Sequence, residues 1–361
     1  MKQVLIFTLL FSSLFYIGFN ILSAEENIQG LESLQVNSDN PVELGHVDWI
    51  RNFDEAKAKA VKENKPLLVF FQEVPGCSTA SGYGKRVMTH PLIIEAAESL
   101  FVPVAIYNNI GGHDREILDS FNEPSWNNPV VRIITPEGKS LSPRLNGDYT
   151  RLGLVNSMVT ALKNNKTPVP QYLEILQKEL SAKNNQKDNA VFSMYCFWTG
   201  EGGLGNIDGV VSTKPGFMGG REVVMVEFDT NVISYKDLVG TAKQKNVSKT
   251  VFVKNSAERE IAEHLLGGSS VHEAGTFRSD SEPKYYMSKT IYRYVPMTPL
   301  QASLVNSSIG KRISPDSYLS PRQLGILSFV RKYPNRNWKN TIGNNEITSA
   351  WNETLKTAKS S

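Results

Sequence analysis

Five consecutive large apolar residues, Leu67-Leu68-Val69-Phe70-Phe71, stand between Pro66 and the turn Val74-Pro75-Gly76. A run this short, closed on both sides by breakers of regular structure, reads as a strand; without polar alternation, it reads as a strand buried on both faces. Such a strand needs a layer on each side, and the flanking sequence offers helices for both. Phe53 to Asn64 is rich in strong helix formers and sets Phe53, Ala56, Ala60 and Val61 on one face. A helix toward Met88 follows the strand, then a helix over Leu92–Leu100 and a second apolar strand over Phe101–Tyr107. Asp114 to Phe121 reads as a helix, Val130 to Ile134 as a third strand, Pro136-Glu137-Gly138-Lys139 as a hairpin turn and Leu152 to Leu162 as a closing helix. This half is therefore α/β.

The whole chain of 361 residues is long enough for two domains. With 40% hydrophobic and 21% charged residues it is globular in composition. Its net charge of +3, with acid and base well mixed, gives no sign of a nucleic-acid surface. Met1-Lys2-Gln3, then an apolar run from Val4 to about Ile21, then Leu22-Ser23-Ala24 before Glu25-Glu26, read as a secretory signal cleaved after Ala24. The run is nearly long enough to span a bilayer, so an uncleaved anchor is the alternative. Both place the protein outside the cytoplasm, secreted or periplasmic, with membrane contact only through an uncleaved segment. The expected divisions are 1–24 signal or anchor, 25–45 tether, 46–166 first domain, 167–189 linker (a helix near Gln171–Leu180, then the polar stretch 181–189), 190–305 second domain and 306–361 helical extension and tail.

There are two cysteines, Cys77 and Cys196, about 120 residues apart, which excludes a disulfide scaffold and any all-cysteine cluster. The five histidines are scattered singly, so no metal site is expected, and nothing calls for a cofactor. Cys77 lies in the turn Val74-Pro75-Gly76-Cys77 between a buried strand and a helix, and Pro129 stands just before a later strand. That arrangement resembles the thioredoxin fold, and Val-Pro-Gly-Cys resembles the group of that family in which selenocysteine can take the cysteine position. The resemblance implies that Pro75, Gly76 and a cis Pro129 frame Cys77, with a helix N-terminus favouring the thiolate. The partner cysteine three residues on is absent, since position 80 is Ala. An intramolecular dithiol cycle within this domain is therefore ruled out.

The second domain opens with Ala190 to Tyr195, a strand leading to Cys196-Phe197-Trp198-Thr199-Gly200-Glu201. Gly209-Val210-Val211-Ser212-Thr213-Lys214-Pro215-Gly216-Phe217-Met218-Gly219-Gly220 and Glu222-Val223-Val224-Met225-Val226-Glu227-Phe228-Asp229 follow in order. These blocks resemble A-type peptide methionine sulfoxide reductases over roughly residues 190–305. The expected fold is thus α/β: a thioredoxin-like domain, then an α+β domain like those reductases, after the N-terminal signal segment. The resemblance implies that Cys196 attacks the sulfoxide sulfur and becomes a sulfenic acid. It implies that Phe197 and Trp198 box the S-methyl group and that Glu222 is the buried, protonated acid. Asp280 with Tyr285 or Tyr286 would orient the site and donate to oxygen. Three features depart from the family. The tyrosine-bearing loop between Gly-Gly and the glutamate is missing, Tyr195 and Thr199 replace glycines, and no C-terminal recycling cysteine is present.

Each half lacks what the other has, so Cys77 is expected to resolve the Cys196 sulfenic acid as an interdomain disulfide, opened by an external thiol. The partners expected are methionine sulfoxide, in proteins or small molecules, and that thiol. Two other readings stay open: a disulfide relay or thiol peroxidase run by Cys77 beside a non-catalytic second domain, and a binding protein without turnover. Toward the end of the chain, Thr298-Pro299 and Ser320-Pro321 each signal a capped helix, and the polar end from Asn335 reads as loose.

Overall fold

The computed structural model describes residues 39–344 and 346–359. The expected signal segment and most of the tether lie outside these residues. In the first half, helix α1 (Phe53–Glu63) starts where the Asn52 side chain accepts the N–H groups of Asp54 and Glu55. It stops at Asn64, whose left-handed backbone (φ 51°) turns the chain. Strand β1 (Leu67–Gln72) is buried throughout. Helices α2 (Ser78–Arg86) and α3 (Pro91–Leu100) lead to β2 (Val102–Tyr107), α4 (His113–Ser120) and β3 (Val130–Ile134). Helix α5 (Arg151–Asn164) follows.

The strands form a sheet in the order β2-β1-β3, with β2 parallel and β3 antiparallel to β1. Leu67, Val69 and Phe71 enter one core with Ala56 and Ala60 of α1, while Leu68 and Phe70 enter another with α3 and α5. The unbroken apolar run is thus two period-2 sets, each sealed by helices. This half is a thioredoxin-like domain in a mixed α/β chain, as the strand–turn–helix order implied.

Residues 167–189 are not a linker. Helix α6 (Gln171–Asn184) puts Tyr172, Leu173, Leu176 and Leu180 into the first core, and strand β4 (Lys187–Ser193) begins two residues after its cap. The helix expected near Gln171–Leu180 is present and runs on to Asn184, into the polar 181–189 stretch.

The second half holds α7 (Phe197–Leu204), β5 (Val210–Met218), β6 (Arg221–Asp229), α8 (Tyr235–Gln244), β7 (Thr250–Val253) and α9 (Ser256–Leu266). Short strands β8 (Val271–Glu273) and β9 (Arg278–Ser279) and the short helix α10 (Tyr285–Ser288) complete it. The sheet runs β8-β7-β4-β6-β5-β9. Met218 pairs with Arg221 across a two-residue turn in which Gly219 and Gly220 both have positive φ (56° and 74°). Two glycines in that conformation match the right-handed twist of a tight hairpin. The chain thereby closes directly where the family's tyrosine loop would stand.

The described residues beyond 298 fold into further helices. Helices α11 (Pro299–Gly310), α12 (Pro321–Lys332) and α13 (Ile347–Lys359) build a third core with Trp338, Trp351 and Leu355. Thr298 and Ser320 make full capping boxes with Gln301 and Gln323. The expectation of a loose end from Asn335 fails because Ile347, Ala350, Trp351, Thr354, Leu355 and Ala358 form an unbroken helical stripe that is buried.

This tail joins the halves. Ile347 enters the first core, and the Arg322 side chain reaches Glu95 and Glu98 on α3. Burial pushes the Glu95 carboxyl up from its ordinary range, although Arg322 opposes this. Lys178 on α6 pairs with Asp208, and Glu179 accepts the Leu300 N–H. Among the described residues no helix is long and apolar enough to cross a membrane.

Candidate active site

Strand β4 ends at Ser193, two residues before the strand end expected at Tyr195; Tyr195 stands 98% exposed. Cys196 is the extended N-cap residue of α7, half-buried, and its carbonyl accepts the Gly200 N–H at 3.0 Å. The N–H of Phe197 donates to the Glu222 carboxylate at 3.0 Å. Glu222 reaches this point because β6 starts beside the end of β4, where Ser193 Oγ donates to the Glu222 carbonyl at 2.9 Å. A carboxyl group and a thiol thus share the first turn of one helix. Glu222 is half-buried, less enclosed than the resemblance implied, because the tight Gly219-Gly220 turn leaves no loop to cover it.

An aromatic wall adjoins this turn. Phe197 is buried and contacts Trp198 (centroids 5.6 Å apart) and Phe217 (5.5 Å). Trp198 stacks flat on Tyr285 at 3.7 Å and 8°. Tyr286 meets Tyr285 edge-on, and its hydroxyl is 3.0 Å from Thr199 Oγ1. The indole N–H of Trp198 is buried and has no acceptor among the described residues, so it remains a donor available to a bound polar group.

The structure therefore brings Cys196, Phe197, Trp198, Glu222, Tyr285 and Tyr286 together. It does not bring Asp280 there. The β9 register sets Ser279 opposite Gly216, so the Asp280 N–H donates to the Pro215 carbonyl and its carboxylate accepts the Glu282 N–H. Asp280 lines a separate groove of about 560 Å³ with Lys214, Glu227 and Met297.

Sequence reasoning missed what holds the wall in place. Lys284 is 7% exposed and precedes Tyr285. Its ammonium bonds to Glu201 Oε1 (2.8 Å), the Thr213 carbonyl (2.8 Å) and Thr213 Oγ1 (2.9 Å). Its backbone N–H donates to Glu201 Oε2 at 2.8 Å, fixing a left-handed backbone (φ 56°) that a lysine rarely adopts. Glu201 lies on α7 behind Cys196, so this buried pair ties the cysteine helix to the tyrosines. An apolar environment around a Lys–Glu pair leaves no mark in sequence at this separation. Phe217 and Arg278 were also missed, and the strand pairing places both on the site's face.

The second cysteine has its own setting. Cys77 is exposed and caps α2. Its N–H donates to Glu73 Oε2 at 3.1 Å, and the Gly76 N–H donates to Glu43 Oε1 at 3.0 Å. Asn109 Oδ1 accepts the Val74 N–H, and its amide donates to the Pro75 carbonyl. The Val74–Pro75 and Asn128–Pro129 bonds are both cis, and Val130 pairs with Phe71, so Pro75, Gly76 and Pro129 gather at the same end of β1 as Cys77. All these partners of the Cys77 turn belong to the first half. Cys196 lies beyond the far end of the seven-residue β4 from the junction, roughly 20 Å along the strand at 3.3 Å per residue. The described arrangement holds the two cysteines in separate settings. Among the described residues no group of three or more His, Cys, Asp or Glu could hold a metal ion.

A thioredoxin-like family model matches residues 48–136. The chain is similar to a peptide methionine sulfoxide reductase MsrA from Methanococcus maripaludis strain C7, 38% identical over 69 residues, covering 14% of this chain and 44% of that protein. It is 25% identical over 137 residues to peptide methionine sulfoxide reductase MsrA 1 from Nostoc sp. PCC 7120, covering 29% of this chain and 83% of that protein. It is 26% identical over 117 residues to peptide methionine sulfoxide reductase A5 from Arabidopsis thaliana, covering 29% of this chain and 46% of that protein. This chain thus spans less than half of the first of these relatives. Among solved structures, a DsbH oxidoreductase covers 36% of this chain and 93% of its own, at 17% identity and a TM-score of 0.29.

Proposed function

We propose that this protein is a thiol-dependent reductase of methionine S-sulfoxide, with Cys196 as the nucleophile. The observation that carries the reading is the Glu222 carboxyl group on the first helical N–H beside Cys196, at the foot of the Phe197–Trp198–Phe217–Tyr285 wall. The rings hold the S-methyl group by apolar contact, leaving the oxygen to polar donors. Glu222 in its acid form protonates that oxygen as the Cys196 sulfur attacks the sulfoxide sulfur. The S–O bond breaks, the sulfoxide is reduced by two electrons to the sulfide, and Cys196 is oxidised by two electrons to the sulfenic acid. A thiol then condenses with the sulfenic acid, releasing water and leaving a disulfide; a second thiol opens it and restores Cys196.

The resolving group is the point at which this proposal departs from the interdomain disulfide expected from sequence. Cys77 and Cys196 cap helices in different halves, which the Arg322 ion pairs and the buried Ile347 join. An external thiol needs no contact between the two cysteines, and we assign it both reducing roles. Cys77, exposed at its helix cap, is then an independent thiol centre for exchange with outside disulfides. Export, read from residues 1–24 alone, belongs to the same proposal. The test is reduction of both sulfoxide epimers with dithiothreitol by the protein and its Cys196→Ser and Cys77→Ser variants. Loss in Cys196→Ser alone, with S-epimer preference, is expected. Loss in Cys77→Ser alone moves the chemistry to the first domain.

A further inference from the structure

Across three strands, Glu222, Phe217 and Arg278 occupy one row: Glu222 pairs with Phe217 on β5, and Phe217 pairs with Arg278 on β9. Side chains in such a row leave the same face of a sheet. The face is that of Cys196, because Phe217 touches Phe197 and Glu222 bonds to its N–H. The adjacent Phe277 points the other way, into a cluster with Met218, Val223 and Phe252.

Arg278 lies with its guanidinium 4.4 Å from the Phe217 ring centroid. The ring face holds the cation without neutralising it. No carboxylate among the described residues forms an ion pair with Arg278. The other cation at this rim, Lys289 over Tyr285, is paired with Glu282 at 3.3 Å. The site is therefore edged by one arginine, pre-positioned by a ring of the substrate wall, with its hydrogen-bond donors unspent. A guanidinium binds a carboxylate in a two-pronged fork.

Resting on the sulfoxide-reductase reading, we infer that Arg278 is a specificity residue that binds the carboxylate of the substrate. The substrate class is a methyl sulfoxide bearing a carboxylate four bonds from sulfur, as in free methionine sulfoxide or a chain-terminal residue. At bond lengths near 1.5 Å that spans roughly 5 Å, comparable with the 4.4 Å between the Phe217 ring centroid and the guanidinium. An internal residue of a polypeptide has an amide there and gains nothing from Arg278.

The experiment measures binding of three probes to the full-length Cys196→Ser protein, by titration calorimetry: N-acetylmethionine (S)-sulfoxide, its N-methylamide and free methionine (S)-sulfoxide. Turnover of the same probes by the unaltered protein is measured in parallel. The acetylated acid should bind at least tenfold tighter than the amide. Adding Arg278→Ala should remove that preference while leaving the amide unchanged, and Arg278→Lys should restore part of it. Free methionine sulfoxide binding like the acetylated acid points to the free amino acid as well as the chain end; binding like the amide points to the chain end alone. Equal binding of acid and amide, with both reduced, overturns the inference and leaves the reductase reading standing. Failure to bind or reduce any probe overturns both.

Discussion

Replacing Lys284 by Met removes an ammonium that makes three hydrogen bonds inside the protein, at 2.8, 2.8 and 2.9 Å. Its partner Glu201 has no side-chain exposure and would keep only the Lys284 backbone N–H and the Thr213 hydroxyl as donors. Removing one member of a buried pair strands the other charge and typically costs about 3–5 kcal/mol, because water cannot reach it. For a unit of this size that is roughly 6–20 °C in the midpoint of thermal unfolding. Adding Glu201→Gln removes the stranded charge, so the double variant should recover most of the loss. Activity separates anchoring from bulk stability. At temperatures where Lys284→Met stays folded, loosened tyrosines should raise KM several-fold while the S-epimer preference set by Phe197 and Trp198 persists. A midpoint unchanged within 2 °C, or a double variant no better than the single, would refute the reasoning.

Other outcomes follow from the same geometry. Glu222→Gln keeps an acceptor for the Phe197 N–H but lacks a transferable proton, so kcat should fall by about 10²–10⁴ with the melting curve nearly unchanged. Trp198→Ala removes the ring stacked on Tyr285 and should raise KM for the sulfoxide by roughly tenfold or more, read from steady-state kinetics. His90 is fully enclosed, and burial pushes its pKa down to about 3. Since the unfolded chain binds a proton there below about 6.5 and the folded chain does not, folding weakens as pH falls through that value, by up to about 1.4 kcal/mol per unit. His90→Leu should flatten this slope between pH 7.5 and 5.5 in urea titrations. Arg322→Ala should destabilise the junction by about 1–3 kcal/mol at pH 8. It should cost less as pH falls, because burial favours protonation of the Glu95 carboxyl, which removes the charge that Arg322 pairs with.

How much was legible depended on whether the signal was local. The run Leu67–Phe71 announced a doubly covered strand, and Gly76-Cys77 and Cys196-Phe197 each announced a strand leading into a helix cap. These are written in adjacent residues. The Phe197, Trp198 and Glu222 cluster was also readable, because the blocks carrying it stand in order along the chain. What was missed depends on pairing between distant segments. Nothing near Asp280 told that β9 would slot Ser279 against Gly216 and carry the carboxylate into another groove. Lys284 gave no signal in the sequence because its partners, Glu201 and Thr213, lie more than 70 residues earlier. The stripe of α13 was available in the sequence but was masked by the polar stretch before it.

The most direct measurement is one turnover without reductant. Reduced protein is mixed with an equivalent of methionine (S)-sulfoxide or its R epimer; methionine is counted, and both cysteines are mapped by mass spectrometry after trapping with a sulfenic-acid reagent. The account predicts about one methionine per chain from the S epimer alone, with the trapped sulfenic acid on Cys196, Cys77 still a thiol, and the same yield from Cys77→Ser. Methionine formed with Cys196 unmodified, or efficient turnover of the R epimer, would contradict it; a Cys77–Cys196 crosslink within the monomer would restore the interdomain disulfide in place of the external thiol.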